Sequence, residues 1–345
     1  CFVEMPELLI TGGLGFLGLQ TARRFLQRGA LWSPVARAMQ PLTQLTLFDR
    51  EFPSAPLPAE IVDDPRVRVK TGDITEDGVA MELGGSEDPD IAVIHLASMV
   101  SGDSEEEPQR AWQVNVDAQR HLLDALSERS PGARVLFTSS TATFGAFESG
   151  ASPPSDFTKQ LPQTTYGFHK VVCELMLNEY SRRRLIDGRG LRLPVVVVRP
   201  DGPNKALTTC WSSVVREPLA GKDTNLPVPA DTFLPVASYQ VVVSALEAMM
   251  LRVSAEQLGH DRTLNLPSLS TSPQELYTAS SRYAAQHGLP LGRMLEAARP
   301  AESRMVASMH SHSESSRALA LGLPQDDSPD SIIEAYASDY VLNQS

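Results

Sequence analysis

The sequence predicts a doubly wound α/β fold, in which a parallel sheet carries helices on both faces and is followed by a smaller C-terminal lobe. Three observations carry this. Short apolar runs alternate with longer amphipathic stretches through the first half; a glycine-rich segment joins the first apolar run to the first helical stretch; and the alternation weakens beyond Pro200. Alternating strands and helices imply parallel strands linked by right-handed crossovers, with the ligand crevice beyond the strands' carboxyl ends.

Taken in order, the apolar runs at residues 8–11, 45–48, 67–70, 91–96 and 134–138 predict buried strands, and the spacing over 16–27 predicts the first helix. Residues 30–44, and the proline-rich stretch 52–64, read as surface insertions. A sixth strand is expected at 193–198, closed by Pro200, Gly202 and Pro203. There the reading divides the chain. Residues 1–200 form a dinucleotide-binding domain of Rossmann type, and 201–345 form mainly a substrate-binding lobe, some segments of which return to the first domain. Helices are expected at 240–252, 273–287 and 331–340.

A formal net charge of −12 over 345 residues gives no general attraction to phosphate backbones or anionic lipid, so no nucleic-acid partner is expected. Apolar runs such as 195–198 are too short to span a bilayer. The three cysteines, Cys1, Cys173 and Cys210, are odd in number and widely spaced, which suits neither a disulfide framework nor a zinc site. With no secretory pattern at the start, a soluble cytoplasmic protein is expected.

Gly12, Gly15 and Gly18 sit in Thr11-Gly-Gly-Leu-Gly-Phe-Leu-Gly, between strand and helix. Glycines at this spacing permit a tight turn, backbone approach to a pyrophosphate and close helix packing, while the helix N-terminus favours negative charge. A dinucleotide is therefore expected over Gly12, Gly15, Phe16 and Leu17. Asp49 ends the second strand, where a carboxylate meets the adenosine ribose hydroxyls; it favours NAD over NADP, because a 2′-phosphate would face like charge. Asp73-Ile74 follows the third strand, where Asp73 either accepts from the adenine amino group or caps the next helix. Leu96-Ala97-Ser98 ends the fourth strand, with small residues against which a dinucleotide can lie.

Tyr166 and Lys170 stand four residues apart, on one face of a helix if the segment is helical. A cation beside a phenol favours its deprotonated form, so Tyr166 can take an alcohol proton as hydride leaves, or return one to a carbonyl. Lys170 would also hold the nicotinamide ribose. The fifth strand runs into Thr138-Ser139-Ser140-Thr141, any of whose hydroxyls can hold the substrate oxygen beside Tyr166.

These segments, with His95 to Ser98, Ser139 to Gly145 and Arg199-Pro200, resemble the extended short-chain dehydrogenase/reductase family, which includes nucleotide-sugar epimerases and dehydratases. The resemblance implies that Ser140, rather than Ser139, completes the set with Tyr166 and Lys170, and that Asn115 supports a water-linked proton path to the lysine. Within the family, residues 100–102, 177–183, 187–189, 191–194, 203–206 and 216–221 are similar to D-erythronate dehydrogenase-like proteins. This implies NAD-linked oxidation of a small hydroxy acid, with the substrate among Ser101, Ser140, Thr141, Tyr166, Asn204 and Arg216. It also implies a homodimer formed through helices around 111–129 and 165–184. Asp201-Gly202 departs from the Gly-Lys of those relatives, and residues 233–240 lack their basic pair.

Three alternatives compete with a hydroxy-acid dehydrogenase: a ketone reductase of secondary metabolism, a nucleotide-sugar epimerase or dehydratase, and a non-catalytic regulator. Sparse arginine in 204–231 argues against a nucleoside diphosphate pocket, and the complete Ser140, Tyr166 and Lys170 set argues against the regulator. Glu105 to Glu107 reads as a solvated loop edge. His310 and His312 lack the further ligands of a zinc site, so no metal is expected. Asn343-Gln344-Ser345 matches a glycosylation pattern only formally.

Overall fold

The computed structural model describes residues 6–84, 90–145, 152–200, 207–307 and 309–342. Strands β1 (Glu7–Thr11), β2 (Gln44–Asp49), β3 (Val67–Thr71), β4 (Ile91–His95), β5 (Arg134–Ser140), β6 (Asp187–Leu193) and β7 (Thr263–Asn265) form one seven-stranded sheet. Its order is 3-2-1-4-5-6-7 and every neighbouring pair is parallel. The chain therefore winds outward twice from β1, leaving a crevice where β1 and β4 diverge to opposite connections.

The helices that place the site are α1 (Phe16–Arg28), α2 (Ser101–Glu106), α3 (Ala118–Arg129), α4 (Thr165–Arg182), α5 (Cys210–Leu219) and α6 (Tyr239–Leu251). Because side chains alternate along a strand, Leu8 and Ile10 of β1 join Phe25 of α1 and Leu246 and Met249 of α6 on one face. Leu9 points the other way, into a core with Leu122 and Leu126 of α3 and Cys173 and Leu177 of α4. A third core gathers Trp211 and Val214 of α5 with Leu276, Tyr283, Ile332 and Tyr336 from the last helices, Pro273–His287 and Pro329–Tyr340. None of the described helices is long and apolar enough to cross a membrane.

The sixth strand is not where the apolar run predicts it. The main sheet takes Asp187–Leu193, whereas Val195–Val197 pairs with Leu234–Ser238, itself antiparallel to Leu269–Thr271, in a separate small sheet. β6 hides from a hydrophobicity reading because its interior carries two buried arginines. Arg189 is neutralised by Asp187 at 2.6 Å and Arg192 by Glu174 at 2.7 Å. The short β7, beside β6, is likewise absent from the sequence reading, being a mere Thr-Leu-Asn.

Residues 30–44 are also more than a surface insertion. Ala30–Ser33 and Ala38–Pro41 form an antiparallel hairpin whose Leu31 and Ser33 are buried, with Ser33 Oγ donating to Asp90 at 2.6 Å. Residues 52–58 are largely exposed, as expected.

Candidate active site

A cavity of about 940 Å³ runs along the carboxyl ends of the strands. At one end lies the glycine turn. Gly12 has φ +67°, and a β-carbon there would lie 2.8 Å from the backbone nitrogen of Ala97, so only glycine lets β1 turn this close to β4. Gly15 precedes α1, whose first turn has no side-chain cap and no acidic residue. Uncapped N–H groups at a helix start, facing a cavity, fit a pyrophosphate, and the residues present therefore suit a dinucleotide. Gly15, Phe16 and Leu17 all line the cavity here.

Asp49 reaches back to this turn: one carboxylate oxygen accepts from Leu14 N at 3.1 Å and the other from Arg50 N at 2.8 Å. Asp73 lines the same wall with Ile74 and is engaged locally. It accepts from Thr75 N at 2.9 Å and Thr75 Oγ1 at 2.7 Å, and pairs with Arg110. Burial opposes its charge, but the Thr75 hydrogen bonds and the Arg110 guanidinium together hold the carboxyl below its ordinary range. Arg110 itself lines the cavity, and nothing in its sequence setting marks it.

Leu96, Ala97 and Ser98 form the next stretch of wall. Asn115 lies in a π-helical turn, Gln113–Asp117, that precedes α3. Its Oδ1 accepts from Met99 N at 2.8 Å and Ser98 Oγ at 3.0 Å, and its Nδ2 donates to Met99 O at 3.1 Å. The asparagine thus clamps the loop leading to Ser101 at the start of α2, another cavity residue.

Tyr166 and Lys170 occupy the first turns of α4, which Thr164 caps by accepting from Gly167 N at 3.0 Å. Glu105 adds a second cap, accepting from Thr165 N at 2.7 Å and Thr165 Oγ1 at 3.0 Å, and so is more than a solvated loop edge. Lys170 is buried, donates to Thr138 O at 2.9 Å, and holds its nitrogen 5.3 Å from the centre of the Tyr166 ring. Ser140, at the end of β5, accepts from Ala142 N at 3.1 Å. Ser139 also borders the cavity, but it is 2% exposed and its hydroxyl is engaged, donating to Glu174. Ser140, Thr141, Tyr166 and Lys170 share the cavity with the glycine turn.

Arg216 does not join them. Its guanidinium donates to Arg199 O at 2.7 Å and Ser213 Oγ at 3.2 Å and pairs with Glu217 at 2.6 Å, away from the cavity lining. α5 turns this arginine toward its own neighbours, a direction that sequence spacing does not convey. Asn204 lies outside the described residues. The far end of the cavity is built instead from Arg199, Thr208, Thr209, Ser212, Met309 and His310. Burial depresses the His310 imidazole to about 4, which keeps it neutral near pH 7, and its ring meets Phe144 edge-on at 5.7 Å. His310 therefore belongs to this cavity, and no group of metal-binding side chains occurs among the described residues.

The sheet order, the uncapped glycine turn and the Ser-Tyr-Lys constellation define a dinucleotide-dependent oxidoreductase. Residues 8–232 match the model of the NAD dependent epimerase/dehydratase family. The chain is 41% identical to D-erythronate dehydrogenase of Cupriavidus necator, over 96% of this chain and 98% of that protein. It is 32% identical to the Haemophilus influenzae protein of the same name, with the same coverages. Among solved structures, the nucleoside-diphosphate-sugar epimerase of Agrobacterium tumefaciens superposes with a TM-score of 0.85 at 30% identity, covering 98% of this chain and 95% of that one. The L-threonine dehydrogenase of Clostridium difficile shares the fold at TM-score 0.79 and 21% identity, covering 97% and 99%. This chain belongs to the NAD dependent epimerase/dehydratase family, the extended short-chain dehydrogenase/reductases, and is an NAD-dependent enzyme.

Proposed function

We propose that this protein is a dehydrogenase that oxidises one secondary hydroxyl of a small hydroxy acid to a ketone, with D-erythronate the first candidate. The similarity to D-erythronate dehydrogenase at 41% identity over nearly the whole chain carries the reading. The cavity that joins Ser140, Tyr166 and Lys170 to the glycine turn supports it.

In this reading Gly12, Gly15, Phe16, Leu17, Asp49 and the wall from Leu96 to Ser98 hold the dinucleotide, with Asp73 and Ile74 beside the adenine. Bound NAD supplies the hydride acceptor. Ser140 holds the substrate oxygen, and Tyr166 takes the hydroxyl proton during oxidation or returns it during reduction. Lys170, tethered to Thr138 O, keeps a positive charge beside the Tyr166 ring and would hold the nicotinamide ribose. Arg199, His310 and the hydroxyls of Thr208, Thr209 and Ser212 offer a short acid a cation and several hydrogen-bonding groups.

The test is absorbance of reduced nicotinamide when the purified protein receives NAD with D-erythronate, L-threonate or related acids. Growth of that band with one acid supports the reading; silence with every acid, despite measurable NADH binding, removes it. The A. tumefaciens neighbour favours a second reading, epimerisation of a nucleotide sugar. An epimerase restores its cofactor in each cycle, so sugar-nucleotide conversion without net nicotinamide reduction would select it.

The same proposal takes residues 1–200 as the dinucleotide-binding domain and 201–345 as mainly the substrate lobe, with α6 and β7 packed back on the main sheet. It also includes a cytoplasmic homodimer. Phe168 and Leu175 are 48% and 61% exposed on α4, an apolar stripe suited to a second copy. A monomeric mass in sedimentation at micromolar concentration would sink the dimer.

A further inference from the structure

Glu174 follows Lys170 by one turn of α4, on the same face as Tyr166 and Lys170, and its side chain is 3% exposed. Its carboxylate is surrounded by donors. Ser139 Oγ and Arg192 Nε, at 2.9 Å, donate to one oxygen; Gln160 Nε2 and Arg192 Nη2, both at 2.7 Å, donate to the other. Arg192 comes from β6, where it lies opposite Ser139 of β5 in register. Its remaining nitrogen donates to Asp156 O and Asn265 Oδ1, each at 3.3 Å, and its guanidinium lies 5.2 Å over the Phe144 ring, on the cavity wall.

A buried ion pair is a costly way to stabilise a core, because desolvation consumes much of the Coulombic gain and an apolar pair of equal volume often does as well. What apolar packing lacks is direction. The two-pronged pair joins α4, β5 and β6 at fixed angles, and both ends lead to the cavity: through Ser139 to its neighbour Ser140, and through Phe144 to the wall that His310 also forms.

We propose that Glu174 and Arg192 are positioning residues that set Ser140 against Tyr166 and fix the Phe144 wall against the substrate. The inference rests on the dehydrogenase reading for its kinetic consequence but not for its structural one. Neutral glutamine at 174 would turn an amide N–H toward the donors of Arg192 or Gln160, and lysine at 192 would keep the charge without the fork.

The experiment takes the full chain with Glu174→Gln, Arg192→Lys and the milder Ser139→Ala, which removes one hydroxyl and leaves the ion pair. Each is measured for melting temperature, NADH affinity, kcat and KM for the acid turned over, and amide hydrogen exchange over residues 139–144. The expected result is roughly a 10- to 100-fold loss of kcat. A raised KM for the acid, unchanged NADH affinity and faster exchange confined to 139–144 should accompany it, with Ser139→Ala showing a smaller loss in the same sense. A purely structural pair would lower the melting temperature and leave the kinetics of the folded enzyme and that exchange pattern alone, which overturns the proposal. If the wild type turns over no acid, the functional reading fails and exchange alone decides: wild-type exchange at 139–144 in folded Glu174→Gln and Ser139→Ala overturns the positioning role, and local acceleration supports it.

Discussion

A β-carbon on Gly167 would lie 2.1 Å from the carbonyl oxygen of Ala142, so the helix bearing Tyr166 rests directly on the turn that follows Ser140. That contact brings two hydroxyl-bearing segments, far apart in sequence, to one cavity. Gly167→Ala should force them apart. We expect a loss of roughly 1–3 kcal/mol of stability from overpacking, with a fall in kcat larger than any change in NADH affinity. Thermal melts and steady-state kinetics together check this, and wild-type values in both would show that the turn yields freely.

Tyr166→Phe removes one oxygen and keeps the ring beside Lys170. Turnover should fall by roughly 10²- to 10⁴-fold, the usual contribution of a positioned acid–base group, while NADH titration by fluorescence gives a near wild-type curve. Substantial residual turnover would mean that another group supplies the proton.

Asp49→Asn keeps the side chain's size and one of its two acceptors, turning an amide N–H toward either Leu14 N or Arg50 N, and removes the charge expected to meet a 2′-phosphate. The ratio of kcat/KM for NAD to that for NADP should drop by about tenfold. An unchanged ratio would place the discrimination elsewhere.

His310 gives a pH dependence of definite sign. Its imidazole is depressed from 6.5 to about 4 by burial, so between those values the unfolded chain binds a proton that the folded chain refuses. Stability is therefore full above pH 6.5 and falls as pH drops through this window, by up to about 1.4 kcal/mol per pH unit for one proton. His95, depressed to about 3 by burial and then by Lys170, acts in the same direction. Asp156, raised to about 6 by burial, opposes them, because its folded form takes up a proton first on acidification. Comparing wild type with His310→Gln isolates the one group: melting temperature should decline less steeply in the variant from about pH 7 to about pH 5. Parallel declines would show that the imidazole opens to water before the chain unfolds.

The site's legibility followed the distance over which each residue acts. The glycine turn and the Tyr166–Lys170 pair are local patterns, each complete within a few residues, and could be read without tertiary information. The choice between Ser139 and Ser140 is nearly local. Strand alternation sends the two hydroxyls in opposite directions, but the partner that receives Ser139 is Glu174, from another element. His310 and Arg110 carry no local signature at all; His310 sits in a serine-rich stretch that resembles a loop, and only the fold brings it to the cavity.

Strand β6 failed for the opposite reason. Hydrophobic periodicity assumes that buried means apolar, and Val195–Val197 satisfied that rule better than a strand carrying Arg189 and Arg192. Their charges are compensated by Asp187 and Glu174 together with the carbonyls of Met249, Val253 and Asp156 to which they donate. By itself the sequence determined the doubly wound class and the dinucleotide turn, because strand period, helix period and glycine geometry are properties of short segments. Which strand closes the sheet, which serine hydroxyl is taken up by Glu174 and which side chains wall the cavity's far end were decided by tertiary structure, because each depends on a partner from a distant part of the chain.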